Sequence, residues 1–333
     1  MNKILISLSL AFVAIVSCAD NSSATADNSS ATADNTAAMT TESTVAPADS
    51  GSSSAGNVSP SSDKDQQQSY QISLTHEGDS ARIVDLLQQG AALQPEDNIP
   101  LFFANQFKGL PYVAFTLDQN KEEKLVINTK GLDCTTFVEN VLALTVCVKR
   151  GLTSFHDFCD VLTHVRYIHG KVAYTSRQHY FTTWIADNLN DGLIEDIALP
   201  QSPLSAKRKP HVDYMTTHVE AYKMLNAHRQ WLPAIREMEQ EVNGTSFTFI
   251  PKAQLRDSNK YREYIHDGDI IGIVTNKKGL DISHVGLAVW HDDGLHLFNA
   301  SSLHKKVVDE PMTLYQYLQK QTSSAGIRVV RIK

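Results

Sequence analysis

Cysteine is scarce in this chain, with 4 among 333 residues. No CxxC pair occurs, and no Cys/His cluster has zinc-ligand spacing, so a zinc finger and a dithiol redox motif are excluded. Excess positive charge is also missing. The formal net charge is −7, which leaves no electrostatic footprint for nucleic acid. No apolar run reaches the roughly 20 residues of a membrane-spanning helix. Aromatic residues are absent from residues 19–68, where Ser, Thr, Ala, Asp and Gly dominate. A segment of that composition cannot bury enough surface to offset chain entropy, and it is expected to be disordered.

The chain opens "MNKILISLSLAFVAIVSCAD". Lys3 followed by the apolar stretch Ile4 to Val16 reads as a secretory signal, too short to span a bilayer. "IVSC", Ile15 to Cys18, resembles a bacterial lipobox, which implies a lipid on Cys18 as the mature N-terminus. Such a chain lies on a membrane through its anchor. "ADNSSAT" then occurs twice in succession, a period too short and polar for a solenoid. As a flexible coil the following fifty-odd residues would reach about 40 Å root-mean-square. Residues 19–68 carry a net −6, so the rest of the exported chain is nearly neutral. The expected organisation is a signal peptide over 1–17, a lipidated Cys18 with a tether over 18–68, and one domain over 69–333.

Within that domain the apolar spacing predicts helices over 80–93, 99–109, 154–168 and 176–189, and one that starts at Thr135 and stops at Gly151. "GLPYVAFTL" reads as a turn and an extended segment, and "KLVINT" as a short strand. Residues 190–260 have no clear period. The period then changes to two, and 268–276, 281–290 and 295–302 read as strands. A helix over 311–320 and a closing strand, "GIRVVRIK", follow. Helices first and an antiparallel sheet afterwards give an α+β domain.

Cys134 is the candidate nucleophile. With Asp133 as N-cap it begins a helix, where unpaired amide hydrogens favour a thiolate and could hold an oxyanion. A first-turn thiol is expected to be exposed, although a buried packing cysteine is the commoner case. His284 is a candidate base. If Trp290 pairs with Leu295, His284 faces Ser301 and Asn299 lies one diagonal step away on the same face, about 7–8 Å between Cβ atoms. One hairpin then presents an imidazole and the amide that orients it, the arrangement a thiol nucleophile needs. A slip of one residue in register would break it. Cys147 and Cys159 could form a disulfide or stay as two buried thiols. His156, His164 and His169 have no partners at ligand spacing and read as structural or exposed, and His291 reads as a turn residue. Lys207, Arg208 and Lys209 read as a solvated loop.

"GLDCTTFVENVLAL", "GDIIGIVTNKKGLDISHVGLAVW" and "HLFNASS" resemble the NlpC-type cell-wall cysteine hydrolases, a papain-like superfamily. "GLPYVAF" resembles a further motif of that group, without its glycine pair. "SRQHYFTTWIADN", "YMTTHVEAY" and "FIPK" extend the resemblance to a branch of N-acetylmuramoyl-L-alanine amidases. The resemblance implies an NlpC-type core, with the cysteine at a helix N-terminus packed on an antiparallel sheet, and helical insertions. It implies Cys134 as nucleophile, His284 as base and Asn299 as third member, in place of the family's usual second histidine. It puts Tyr112 beside the active site and gives Asp133 a role toward a substrate amine. Arg177 would face peptide carboxylates together with His179 and Tyr180 on the branch-specific helix. Thr217, His218 and Ser283 would line the same cleft, although solvated surface positions are an equal reading for several of these.

The expected activity is cleavage of the amide between N-acetylmuramic acid and L-alanine through a thioester, with no cofactor and no metal. The alternatives are a γ-D-glutamyl-diamino acid endopeptidase of the same fold and a non-catalytic muropeptide-binding lipoprotein. The expected partners are muropeptides and, through the N-terminal lipid, a membrane. The expected state is a monomer on the periplasmic side of the outer membrane.

Overall fold

A computed structural model describes residues 70–333. The expected signal peptide, the lipidated Cys18 and the tether lie outside the described residues. Strand β1 (Ile72–Leu74) pairs in parallel with β2 (Leu125–Ile127). Between them lie α1 (Asp79–Ala91) and α2 (Ile99–Phe107). Asn98 caps α2 by accepting from the Leu101 amide, with proline in its first turn, where a missing N–H costs nothing.

Next come α3 (Cys134–Lys149), α4 (Phe155–Arg166) and α5 (Phe181–Asn190). Helix α3 is buried almost all round, from Cys134 to Cys147, as its apolar composition requires. It packs against α1, α2, α4 and three strands of the main sheet. Cys147 and Cys159 are free and buried in the same core, the second of the two open readings.

The stretch without a clear period resolves into short pieces. These are β3 (Ile194–Asp196), β4 (Ala206–Arg208), α6 (Tyr214–Thr217), α7 (Lys223–Ala227), α8 (Leu232–Gly244) and β5 (Phe247–Pro251). Lys207 and Arg208 are therefore on an edge strand, not in a loop. The Arg208 guanidinium donates to the Thr275 carbonyl. Helices α6 to α8 share a second apolar cluster with Tyr174, Tyr180 and Leu280.

The chain ends in β6 (Ile270–Thr275), β7 (Ile282–His291), β8 (Gly294–Ser301), β9 (Lys306–Asp309), α9 (Leu314–Lys320) and β10 (Ser324–Ile332). The main sheet runs β4-β5-β10-β6-β7-β8-β9, with β3 on the far part of β10, and its named pairings are antiparallel. The α+β class therefore holds. One expected helix is shorter than its sequence pattern: Arg177 and Tyr180 have non-helical backbone, and α5 starts only at Phe181. The backbone there is bridged, Tyr167 to Arg177, which takes those residues out of the helix. No helix among the described residues is long and apolar enough to cross a membrane.

Candidate active site

Asp133 caps α3. Its Oδ1 accepts from the Thr136 amide and hydroxyl, each at 2.8 Å, and the Thr136 hydroxyl accepts from the Asp133 amide at 3.0 Å. This capping box fixes the first turn and hence Cys134 at its first position. Cys134 is fully buried, contrary to the expected exposure. The backbone amides of Val285 and Thr135 donate toward its sulfur. Because Val285 follows His284 on β7, the thiol meets the sheet at the histidine.

Trp290 does pair with Leu295, and the register continues to Leu287 opposite Phe298. His284 and Asn299 then project from the same face, and His284 Nε2 lies 2.9 Å from Asn299 Oδ1. Asn299 Nδ2 donates to the Leu297 carbonyl at 3.3 Å, which fixes the amide's orientation. Its oxygen can only accept, so Nε2 carries the imidazole proton and Nδ1 is the basic nitrogen.

Two backbone features support this pair. The pairing of β6 with β7 shifts between Ile273–His284 and Val274–Ile282, so Ser283 is an extra residue in β7. Such a bulge re-aims the adjoining side chain, here His284. On β7, a Cβ at Gly286 would stand 2.7 Å from the Phe298 carbonyl oxygen and 3.0 Å from Asn299 Cβ. Glycine thus permits the close approach that brings Asn299 under the imidazole.

Burial governs the electrostatics. It pushes the His284 pKa down to about 4, against the raising effect of Asn299. It pushes the Cys134 thiol well up, helped by the Asp133 carboxylate, and this outweighs the amides that donate to the sulfur. The resting pair is therefore neutral thiol and neutral imidazole, not the thiolate expected from the helix end alone.

Tyr112 is half-buried beside Cys134, and its phenol is pushed up chiefly by desolvation and next by that thiol. Its amide donates to the Lys305 carbonyl, which holds the segment against the β8–β9 turn. Tyr317 on α9 was not singled out by the sequence. Its ring stacks on His284 with centroids 6.3 Å apart, and burial pushes its phenol up. A tyrosine on the i, i+3 face of a short amphipathic helix carries no signal that distinguishes it from core.

The other expected substrate residues lie elsewhere or are already engaged. Arg177 is only 8% exposed; its guanidinium pairs with Glu123 at 2.6 Å and Asp118 at 2.8 Å and packs over Tyr174. It is saturated and has no hand left for a peptide carboxylate. His179 is buried with Nε2 2.8 Å from the Tyr174 carbonyl, and its pKa is pushed down to about 3 by burial and then by Arg177. The Tyr180 hydroxyl donates to Glu239 and accepts from the Met215 amide. Thr217 and His218 are exposed and line a separate cavity of about 490 Å³ with Asp213, Tyr214, Lys277 and Lys278. His218 stacks on Tyr214 at 4.0 Å there. Ser283 is the bulge residue, with its hydroxyl 3.5 Å from the Ile273 carbonyl.

A buried thiol at a helix start, an imidazole on a neighbouring strand and an amide that orients it are groups that nucleophilic acyl transfer can use. The family model described as AmiA-like, N-acetylmuramoyl-L-alanine amidase-like, matches residues 102–327, and this chain belongs to that family. A crystal structure of an N-acetylmuramoyl-L-alanine amidase from Bacteroides uniformis is 38% identical, covering 74% of this chain and 99% of that one, with a TM-score of 0.66. A Bacteroides fragilis protein with a provisional xylanase name is 38% identical over 70% of this chain and all of that one, with a TM-score of 0.65. A Legionella pneumophila protein at 23% identity and a TM-score of 0.56 shares the fold. No match is found among curated proteins. The family is that of amidase-like peptidoglycan hydrolases.

Proposed function

We propose that this protein is an envelope-facing cysteine hydrolase with a papain-like, NlpC-type core, which cleaves the bond between N-acetylmuramic acid and L-alanine. The observation that carries the reading is the 2.9 Å contact of His284 Nε2 with Asn299 Oδ1, set beside the thiol of Cys134. His284 Nδ1 takes the thiol proton as the sulfur attacks the lactyl carbonyl. The Cys134 backbone amide, at the open end of α3, is the donor offered to the developing oxyanion. The imidazolium then returns its proton to the nitrogen of L-alanine, which leaves. Water, deprotonated by His284, cleaves the thioester and restores the thiol.

A glycosidase needs two carboxyl groups flanking the scissile bond. Here the converging groups are a thiol, an imidazole and an amide, and the carboxylate beside them, Asp133, is engaged with Thr136. A lipid on Cys18 would hold the protein at the periplasmic face of the outer membrane. Cys18→Ser should then release it to the soluble fraction, and retention in the membrane would refute the anchor.

The deciding experiment is mass spectrometry of products from a muramoyl tetrapeptide. The amidase leaves a peptide-free amino sugar and a peptide beginning with L-alanine. A sugar still carrying two amino acids refutes this reading and favours the endopeptidase. Iodoacetamide should stop the reaction, whereas a glycosidase would survive it.

A further inference from the structure

A second group of reactive side chains lies outside the catalytic trio, at the junction of α4 and α5. His169 Nδ1 is 3.5 Å from Asp187 Oδ1, and one ligand atom each of His169, Asp187 and Asp191 lies within 4.8 Å of the others. His164 stands beside them, its Nδ1 2.8 Å from Asp191 Oδ2. Sequence spacing hides this arrangement: the histidines are on the end of α4 and the turn after it, and the aspartates are on α5 and at its C-cap.

We propose that His169, Asp187 and Asp191 form a three-residue site for a zinc-class divalent cation, with water as the fourth ligand and His164 holding Asp191 from outside. In a tetrahedral zinc site, bonds of about 2.0–2.2 Å to N and O place neighbouring ligand atoms about 3.3–3.5 Å apart. The His169–Asp187 separation already has that value. The Asp191 carboxylate lies within 4.8 Å of both and must close by at most about 1.5 Å, which a partly exposed side chain can do. One neutral imidazole and two carboxylates balance the charge of one divalent ion.

The surroundings resemble the outer shell that metal-ligating carboxylates require. Asp187 is 5% exposed. Its Oδ2 is held by the Gln178 side-chain amide at 2.8 Å and the His169 backbone amide at 3.2 Å, which leaves Oδ1 turned to the site. Gly170, at φ +67°, has no Cβ; one would stand 2.9 Å from His164 Nε2 and displace that ring. The ion would pin the turn at 168–170 to α5, on either side of the segment that carries Arg177 and His179.

Protein stripped with a chelator and dialysed is titrated with Co2+ alone, then with Zn2+. The expected result is one Co2+ per chain with the visible bands of a four-coordinate ion, displaced by Zn2+. Zinc should raise Tm by a few degrees, and Ca2+ should not, because the site offers imidazole. His169→Ala and Asp191→Asn, both on the surface side of the site, should each weaken binding at least about tenfold. Their melting temperatures in chelator should stay near the parent's, which confirms that they fold. Failure to bind Co2+ at micromolar concentrations overturns the proposal. So does binding that both variants leave unchanged, which would put the ion elsewhere, such as beside His291 and His296.

Discussion

The neutral state of the proposed Cys134–His284 pair makes a sharp prediction for acid pH. An ordinary histidine, with a pKa near 6.5, is only about 3% neutral at pH 5. His284, held to about 4 by burial, is about 90% neutral there. If neutral His284 is the base, kcat/KM on a muramoyl tripeptide should fall by little between pH 7 and pH 5. An unshifted base would lose about 25-fold. At high pH the raised Cys134 thiol keeps the neutral pair intact, so no alkaline gain from thiolate formation is expected below the usual thiol range. The assay is kcat/KM from pH 4 to 9 at constant ionic strength. An acid limb centred between 6 and 7 would refute the burial argument.

Stability moves in the same window and must be measured beside the rate. The folded pKa of His284 lies below the unfolded value, so the unfolded chain binds the extra proton first. The stability contribution is complete above about pH 6.5 and is lost as pH falls toward 4, roughly 3 kcal/mol in all. His179, pushed down to about 3, adds a loss of the same sign that continues lower. A melt at each pH separates a protonated base from an unfolded protein.

Other outcomes follow from the contacts. Asn299→Ala should cost activity, but less than His284→Ala, because the amide only holds the imidazole; the histidine's own proton transfer is worth of order 10²–10⁴-fold, and parental activity of the Asn299 variant would refute the register argument. Arg177→Ala should act on stability, not on stem selectivity. It strands Glu123 and Asp118 in a nearly closed site, a loss of about 3–5 kcal/mol, so Tm should fall by roughly 10 °C. An unchanged Tm with poorer turnover of acidic stems would restore it as a substrate contact. Gly286→Ala should lower kcat by pushing Asn299 away from His284 while leaving Cys134 reactive to iodoacetamide; unchanged turnover would show that the close approach is dispensable.

The hairpin that carries His284 and Asn299 was legible because a strand's side-chain period is two. One pairing, Trp290 with Leu295, fixes every later one, and the turn residues set that pairing. Cys134 was legible for a similar reason: an N-cap aspartate ahead of a periodic apolar run specifies where a helix begins. What the period does not carry is depth. The thiol was expected to be open because it sits in a first turn, yet β7 covers it, and the covering strand is about 150 residues away in sequence. Its protonation state reversed with its burial.

Arg177 fails to read for a related reason. A polar residue flanked by aromatics looks like a cleft residue, and nothing local says that carboxylates 54 and 59 positions earlier will enclose it. Long-range ion pairs have no spacing rule, unlike i, i+4 pairs within a helix. The same ignorance runs in the opposite direction at His164 and His169, which looked partnerless and meet two aspartates across a helix junction. The core chemistry is written in local grammar, caps and alternation. The charged residues around it are assigned by whichever distant side chain arrives first, and so Arg177 supports the fold instead of facing the cleft.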